Sequence, residues 1–76
     1  MKLLEKVVAA GYKVTDHKNS RGTRFITIQS PDGKTSWTRY VFPANITPDV
    51  LRLRVQSLQE RCRHYISNPV NRYQYR

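Results

Sequence analysis

Two short runs of β-branched and aromatic residues, separated by one turn segment, constrain the fold of this chain more than any other feature. The runs are residues 23–29 and 35–42, and the segment between them contains Pro31, Asp32 and Gly33. Proline presets the first central position of a turn, aspartate suits the second, and glycine supplies the positive φ of a bulge. The pattern predicts an antiparallel β-hairpin.

The length of the turn decides which side chains share a face of this hairpin. A three-residue bulged turn at residues 31–33 places Ser30 opposite Lys34 and Ile26 opposite Thr38. The face expected to pack under helices then carries Ile26, Ile28, Tyr40 and Phe42. The other face carries Phe25, Thr27, Trp37 and Arg39. A one-residue change of register would exchange the two faces, so a core position for the aromatic pair Phe25 and Trp37 stays open.

Helical signals lie on both sides of the hairpin. Residues 3–10 have apolar side chains at helical spacing and stop at Gly11, which can adopt a left-handed cap. Thr47 and Pro48 suit the cap and first position of a second helix, expected to end near residue 67 because Pro69 follows. Residues 12–16 favour a short strand, and residues 17–22 a polar turn. The buried stripe of the second helix is expected to be Leu51, Val55, Leu58, Cys62, Tyr65 and Ile66.

Together these elements predict a small α+β domain. The expected order is α-β-β(-β)-α, with an antiparallel sheet of two or three strands and both helices packed on one face. A chain of 76 residues forms one domain, and such a domain buries only about 60% of its unfolded surface. The domain is expected over residues 1–69, followed by a short basic and aromatic tail at residues 70–76.

The chain carries a large excess of positive charge. It has 14 lysines and arginines against 5 aspartates and glutamates, a net charge of +9 and a pI near 10.3. Most of the cations are arginines, which bind phosphates bidentately and stack on bases. Because self-repulsion destabilises a compact chain, the charge indicates a polyanionic partner. That partner is DNA or RNA, or an acidic protein or nucleoprotein surface; a charge that only aids solubility is the alternative.

Two groups of side chains are the candidate nucleic-acid contacts. The sheet group, whose aromatic rings would stack on bases, is Arg24, Phe25, Trp37 and Arg39. The group on the second helix, which would contact phosphates, is Arg52, Arg54, Arg61 and Arg63. Only Asp49 and Glu60 offset these helix charges, although a solvated helix face without a binding role is the ordinary case.

No catalytic, metal or cofactor site is predicted. Cys62 is the only cysteine, and His17 and His64 lie far apart in the sequence, so no metal-ligand set is expected. Asp16, His17 and Ser20 form the nearest approach to a triad, but a polar turn would not exclude water from them. Charged residues interrupt the apolar N-terminal segment, so we expect a cytoplasmic protein with no membrane partner.

The order of these signals resembles that of the HicA toxin family. The likeness covers most of residues 3–58 and is carried by residues 3–6 and 10–12, the turn at residues 30–34, and the Thr47-Pro48 helix start. That family has an α-β-β-β-α fold similar to double-stranded-RNA-binding domains and cleaves mRNA, which implies contact with RNA or DNA here. The family's catalytic histidine follows a Gly-Ser pair before the turn. Residues 20–25 contain no histidine, which counts against nuclease activity.

Three functions are consistent with these observations. The favoured one is a non-enzymatic nucleic-acid-binding module, similar in its sheet-plus-helix arrangement to the DNA-binding domains of phage integrases and some plant transcription factors. The second is a small inhibitor of phage or mobile-element type, such as an anti-CRISPR, which binds a host protein or nucleoprotein complex. The third is a HicA-like RNase that uses His17.

Overall fold

A three-stranded antiparallel sheet connects the two helices of the computed structural model, which describes residues 2–70. The elements in chain order are α1 (Lys2–Ala9), β1 (Lys13–Lys18), β2 (Arg24–Gln29), β3 (Trp37–Phe42) and α2 (Pro48–Ser67). β2 is the central strand and pairs with both neighbours. The predicted α+β class is therefore confirmed, and the strand number is three. The predicted tail lies outside the described residues except for Val70.

Both helices begin or end where local sequence signals place them. The Thr47 hydroxyl accepts a hydrogen bond from the Val50 N–H at 3.4 Å and caps α2, with Pro48 at its first position. α2 ends at Ser67, and the N–H of its C-cap residue Asn68 donates to the Tyr65 carbonyl. α1 stops before Gly11, which has a φ of 105° that other residues rarely adopt.

The core lies between the helices and one face of the sheet, here called the inner face. Ile26 and Ile28 of β2 are almost fully buried there. They belong to one apolar cluster with the helix residues Leu4, Val7, Leu58, Cys62 and Tyr65. Both helices therefore pack on the same face of the sheet, as the alternation of apolar residues in β2 predicts.

The buried stripe of α2 is shorter than the sequence predicts. The fully buried residues of α2 are Leu58, Cys62 and Tyr65, whereas Leu51 is 39% exposed and Val55 is half-buried. A helix of 20 residues is about 30 Å long, but an eight-residue helix such as α1 covers only about 12 Å. The first half of α2 therefore extends beyond the shared core, and the prediction that Leu51 is buried is wrong.

The register of the β2–β3 hairpin also differs from the predicted one. Ser30 lies opposite Ser36, and its N–H donates to the Ser36 carbonyl at 2.9 Å. Ile26 is paired with Tyr40 instead of Thr38. The loop is thus two residues longer than a three-residue bulged turn. Because the side chains of a strand alternate with a period of two, this shift leaves the composition of both faces unchanged.

The Asp32 side chain explains the longer loop. Its carboxylate accepts hydrogen bonds from the hydroxyls of Ser30 and Thr35 and from the N–H groups of Lys34 and Thr35. These bonds, the one from Ser30 above all, hold the pKa of Asp32 well below its ordinary value. Gly33 supplies a φ of 71°, as predicted. The aspartate therefore organises a wider loop in place of the expected tight turn.

The β1–β2 connection is shorter than predicted. Asn19 closes it, because its side-chain oxygen accepts hydrogen bonds from the N–H groups of Arg21 and Thr23, both at 3.0 Å. His17 and Lys18, which the sequence places in the turn, belong to β1 instead. This extension brings His17 onto the sheet.

Candidate nucleic-acid interface

The face of the sheet opposite the core, here called the outer face, is not covered by either described helix. Side chains alternate along each strand, so the strand pairings define the residues of this face. They are Lys13, Thr15, His17, Phe25, Thr27, Gln29, Trp37, Arg39 and Val41. None of these residues is acidic, and three can carry positive charge. The outer face is therefore a basic surface on a rigid element.

Trp37 and Arg39, both on the edge strand β3, form an exposed pair on one side of this surface. The Trp37 side chain is 55% exposed, and the guanidinium carbon of Arg39 lies 5.4 Å from the centre of its ring. The Arg39 Nε–H also donates to the Thr27 hydroxyl at 3.3 Å. A cation at this distance from an indole is attracted to the ring. The predicted outer position of Trp37 is confirmed, and the alternative that places it in the core is wrong.

Phe25 lies on the outer face as predicted, but it is only half-exposed. Its cross-strand neighbour is His17, whose ring lies 6.3 Å away and nearly parallel, at 19°. The sequence analysis missed His17 and Lys13 as members of this surface. Pairing the predicted strand at residues 12–16 with β2 would have placed Lys13 on this face, and extending that strand by two residues would have added His17.

Arg24 does not belong to the outer face. It is an even-numbered residue of β2 and points to the same side as Ile26. There it forms two hydrogen bonds to the Asp16 carboxylate, at 2.9 and 2.6 Å. The bond to Arg24 lowers the pKa of Asp16 and raises that of Arg24. Its predicted place beside Trp37 and Arg39 is wrong, and its charge is already matched by a carboxylate.

Two of the four α2 arginines lie along the free edge of β3. Arg54 donates a hydrogen bond to the Val41 carbonyl. The Arg61 guanidinium lies 5.9 Å from the ring centre of Tyr65, whose hydroxyl is hydrogen-bonded to Thr38 at 2.8 Å. α2 therefore follows β3 and presents cations beside it. We call the row of Arg39, Arg54 and Arg61 the β3-edge cations.

A groove joins the outer face to this edge. Its volume is about 400 Å³, and it is lined by Arg39, Tyr40, Val41, Leu53, Arg54 and Ser57. Arg39 approaches it from the sheet and Arg54 from the helix. A nucleic-acid backbone that lies along β3 can thus contact the guanidinium groups of both Arg39 and Arg54 while its bases remain close to Trp37.

The other two α2 arginines point away from this edge. At 100° per residue, Arg52 and Arg63 lie across the helix from Arg54 and Arg61. Both are exposed, and Arg52 is 3.9 Å from Asp49. The predicted helix group therefore divides into two pairs on opposite sides of α2, Arg54 and Arg61 beside β3 and Arg52 and Arg63 away from it.

The residues considered for catalysis do not converge. His17 lies on the outer face, whereas its neighbour Asp16 points to the inner face and is bound by Arg24. Cys62 is completely buried, and burial raises the pKa of its thiol. Within residues 2–70, no three histidine, cysteine or acidic side chains are grouped as metal ligands.

Comparisons of the chain with protein-family models, with curated proteins and with solved structures find no match. The resemblance to the HicA family rests on sequence motifs alone and stays a prediction. In the described part of the chain, neither helix combines the length and apolarity needed to cross a bilayer.

Proposed function

We propose that the chain is a non-enzymatic nucleic-acid-binding module that binds through its outer face and the β3-edge cations. The observation that supports this most is the exposed indole of Trp37 with the Arg39 guanidinium held against it. Both side chains stand on a surface without a carboxylate. A stacking ring beside unpaired cations is the combination with which proteins bind the bases and phosphates of single strands.

The two kinds of side chain have different roles in this proposal. Trp37 stacks on an unpaired base, and Phe25, which is partly covered, contributes less area. Arg39, Arg54 and Arg61 contact successive phosphates along the edge of β3. Since stacking requires an accessible base face, unpaired DNA or RNA is expected to bind more tightly than a duplex.

A salt titration tests this proposal. Binding of labelled single-stranded DNA, single-stranded RNA and random duplex DNA would be followed by fluorescence anisotropy from low to physiological salt. Three phosphate contacts predict a slope of log K against log salt of about −2 for single strands. Arg39→Gln should make the slope shallower, whereas Arg63→Gln, on the far side of α2, should leave it unchanged. Absence of binding, or binding that does not depend on salt, would contradict the proposal.

One observation favours the inhibitor function as a second candidate. The first half of α2 exposes three apolar side chains, Val50, Leu51 and Leu53. Val50 and Leu53, three positions apart, share one side of the helix, whereas Leu51 lies on another side. Exposed apolar side chains that share a surface are typical of sites that bind another protein. A stable complex with a protein, together with no binding to any nucleic acid in the titration, would support this candidate over the first.

A further inference from the structure

A second groove lies on the helical side of the sheet, away from the outer face. It has a volume of about 300 Å³ and is lined by Arg24, Ile26, Phe42, Leu51, Val55 and Leu58. Five of these six residues are apolar. Arg24 is the one charged residue of its lining, and we call this site the α2 groove.

The α2 groove is open because the helical layer is incomplete there. α1 contributes no residue to its lining, and α1 is less than half as long as α2. Leu51 has the helical spacing of a core residue, four positions before Val55 and seven before Leu58, yet it is 39% exposed. Among residues 2–70, the first half of α2 thus lacks the helical neighbour that α1 supplies to the second half.

We propose that the α2 groove binds an amphipathic, acidic helix of a partner protein. The apolar side of that helix would contact Leu51, Val55 and Phe42, in the manner of a helix seated in a hydrophobic groove. A helix is the occupant that fits, because it continues the layer that α1 begins.

The positive charge near the groove and on the whole chain favours an acidic partner. Arg24 lines the groove and is paired with the Asp16 carboxylate, while Lys18 lies opposite Arg24 on β1 and leaves one positive charge unmatched beside the groove. The whole chain carries +9, so a second copy of it would bring repulsion to the contact. A segment with glutamates or aspartates beside its apolar stripe brings attraction instead. The apolar lining gives a nucleic acid little to bind.

This site is independent of the proposed function. The α2 groove lies on the inner side of the sheet, and none of its lining residues belongs to the outer face. A nucleic acid on Trp37 and an acidic helix on Leu51 would therefore not compete for the same atoms.

Designed peptides test this proposal with the full chain. The probe is a labelled 15-residue helical peptide with leucines at helical spacing and glutamates beside them; its matched control has lysine in place of each glutamate. We expect the acidic peptide to bind and the basic one to bind at least about tenfold more weakly. Leu51→Ser should weaken binding of the acidic peptide by about tenfold, since loss of an apolar anchor of this size has that effect.

Leu53→Ser is the matched control variant. Leu53 is 65% exposed on the same helix and lines the groove at the β3 edge instead, so this change should leave peptide binding unaltered. Equal binding of both peptides, no binding of either, or equal effects of the two variants would overturn the proposal. Concentration-dependent dimerisation of the chain that Leu51→Ser abolishes would also overturn it, by making a second copy the occupant.

Discussion

Replacing Trp37 with alanine should weaken the binding of an unpaired oligonucleotide by about 5-fold to 150-fold, because a base stacked on an aromatic side chain contributes about 1–3 kcal/mol. The substitution should leave folding nearly intact, since the side chain is 55% exposed and surface changes have small effects on stability. Fluorescence anisotropy at a fixed salt concentration measures the affinity, and circular dichroism checks the fold.

Two further variants make this result specific. Trp37→Phe retains an aromatic face and should recover most of the affinity that alanine loses. Val8→Ala, at an exposed apolar residue of α1, should change affinity little, because α1 packs on the opposite face of the sheet. An alanine variant at position 37 that binds as tightly as the unaltered chain would show that the outer face is not where bases stack.

Replacing Leu58 with alanine should destabilise the domain by about 2–5 kcal/mol, the range found for large-to-small changes at buried positions. Leu58 is 2% exposed and belongs to the cluster that joins α1, the sheet and α2. The free energy of unfolding of a domain of this size is about 5 kcal/mol, so a loss at the upper end of this range would leave a substantial unfolded population at room temperature. Urea denaturation followed by circular dichroism measures the change.

Leu53→Ala is the matched comparison for stability, since it removes the same atoms from the same helix. At 65% exposure, this change should alter the free energy of unfolding by no more than about 0.5 kcal/mol. If the two leucine variants were equally stable, the assignment of the second half of α2 to the core would be incorrect.

Sequence features that depend only on neighbouring residues, such as helix caps and turn residues, predicted the helices and the hairpin correctly. Thr47 and Pro48 marked the start of α2 because a cap needs only its own residue and the next three. Gly11 marked the end of α1 for the same local reason. The hairpin was also predicted correctly, since two runs of β-branched and aromatic residues on either side of Pro31 and Gly33 strongly favour paired strands joined by a turn.

The register of that hairpin could not be predicted from turn residues alone. Asp32 was assigned to the second central position of a tight turn. Its carboxylate instead accepts four hydrogen bonds, which stabilise a longer loop. The outer face was nevertheless correct, because an error of two residues preserves the alternation that separates Trp37 and Arg39 from Ile26 and Ile28.

The remaining errors concern side chains whose position depends on how one helix or strand packs against another. The exposure of Leu51 depends on the length of α1, which covers only the second half of α2. The pairing of Arg24 with Asp16 depends on the register of β1 with β2. Neither can be inferred from helical spacing or composition. The same holds for Arg54 and Arg61, whose place beside β3 follows from how α2 lies across the sheet.

The accessibility of Trp37 tests the central claim most directly, because it is the only tryptophan of the chain. Quenching of its fluorescence by acrylamide would be measured with and without a saturating single-stranded oligonucleotide, with binding followed in parallel by anisotropy. A base stacked on the indole should shield it, so the quenching constant should fall when the oligonucleotide binds. Binding that leaves Trp37 as accessible as in the free chain would contradict the account.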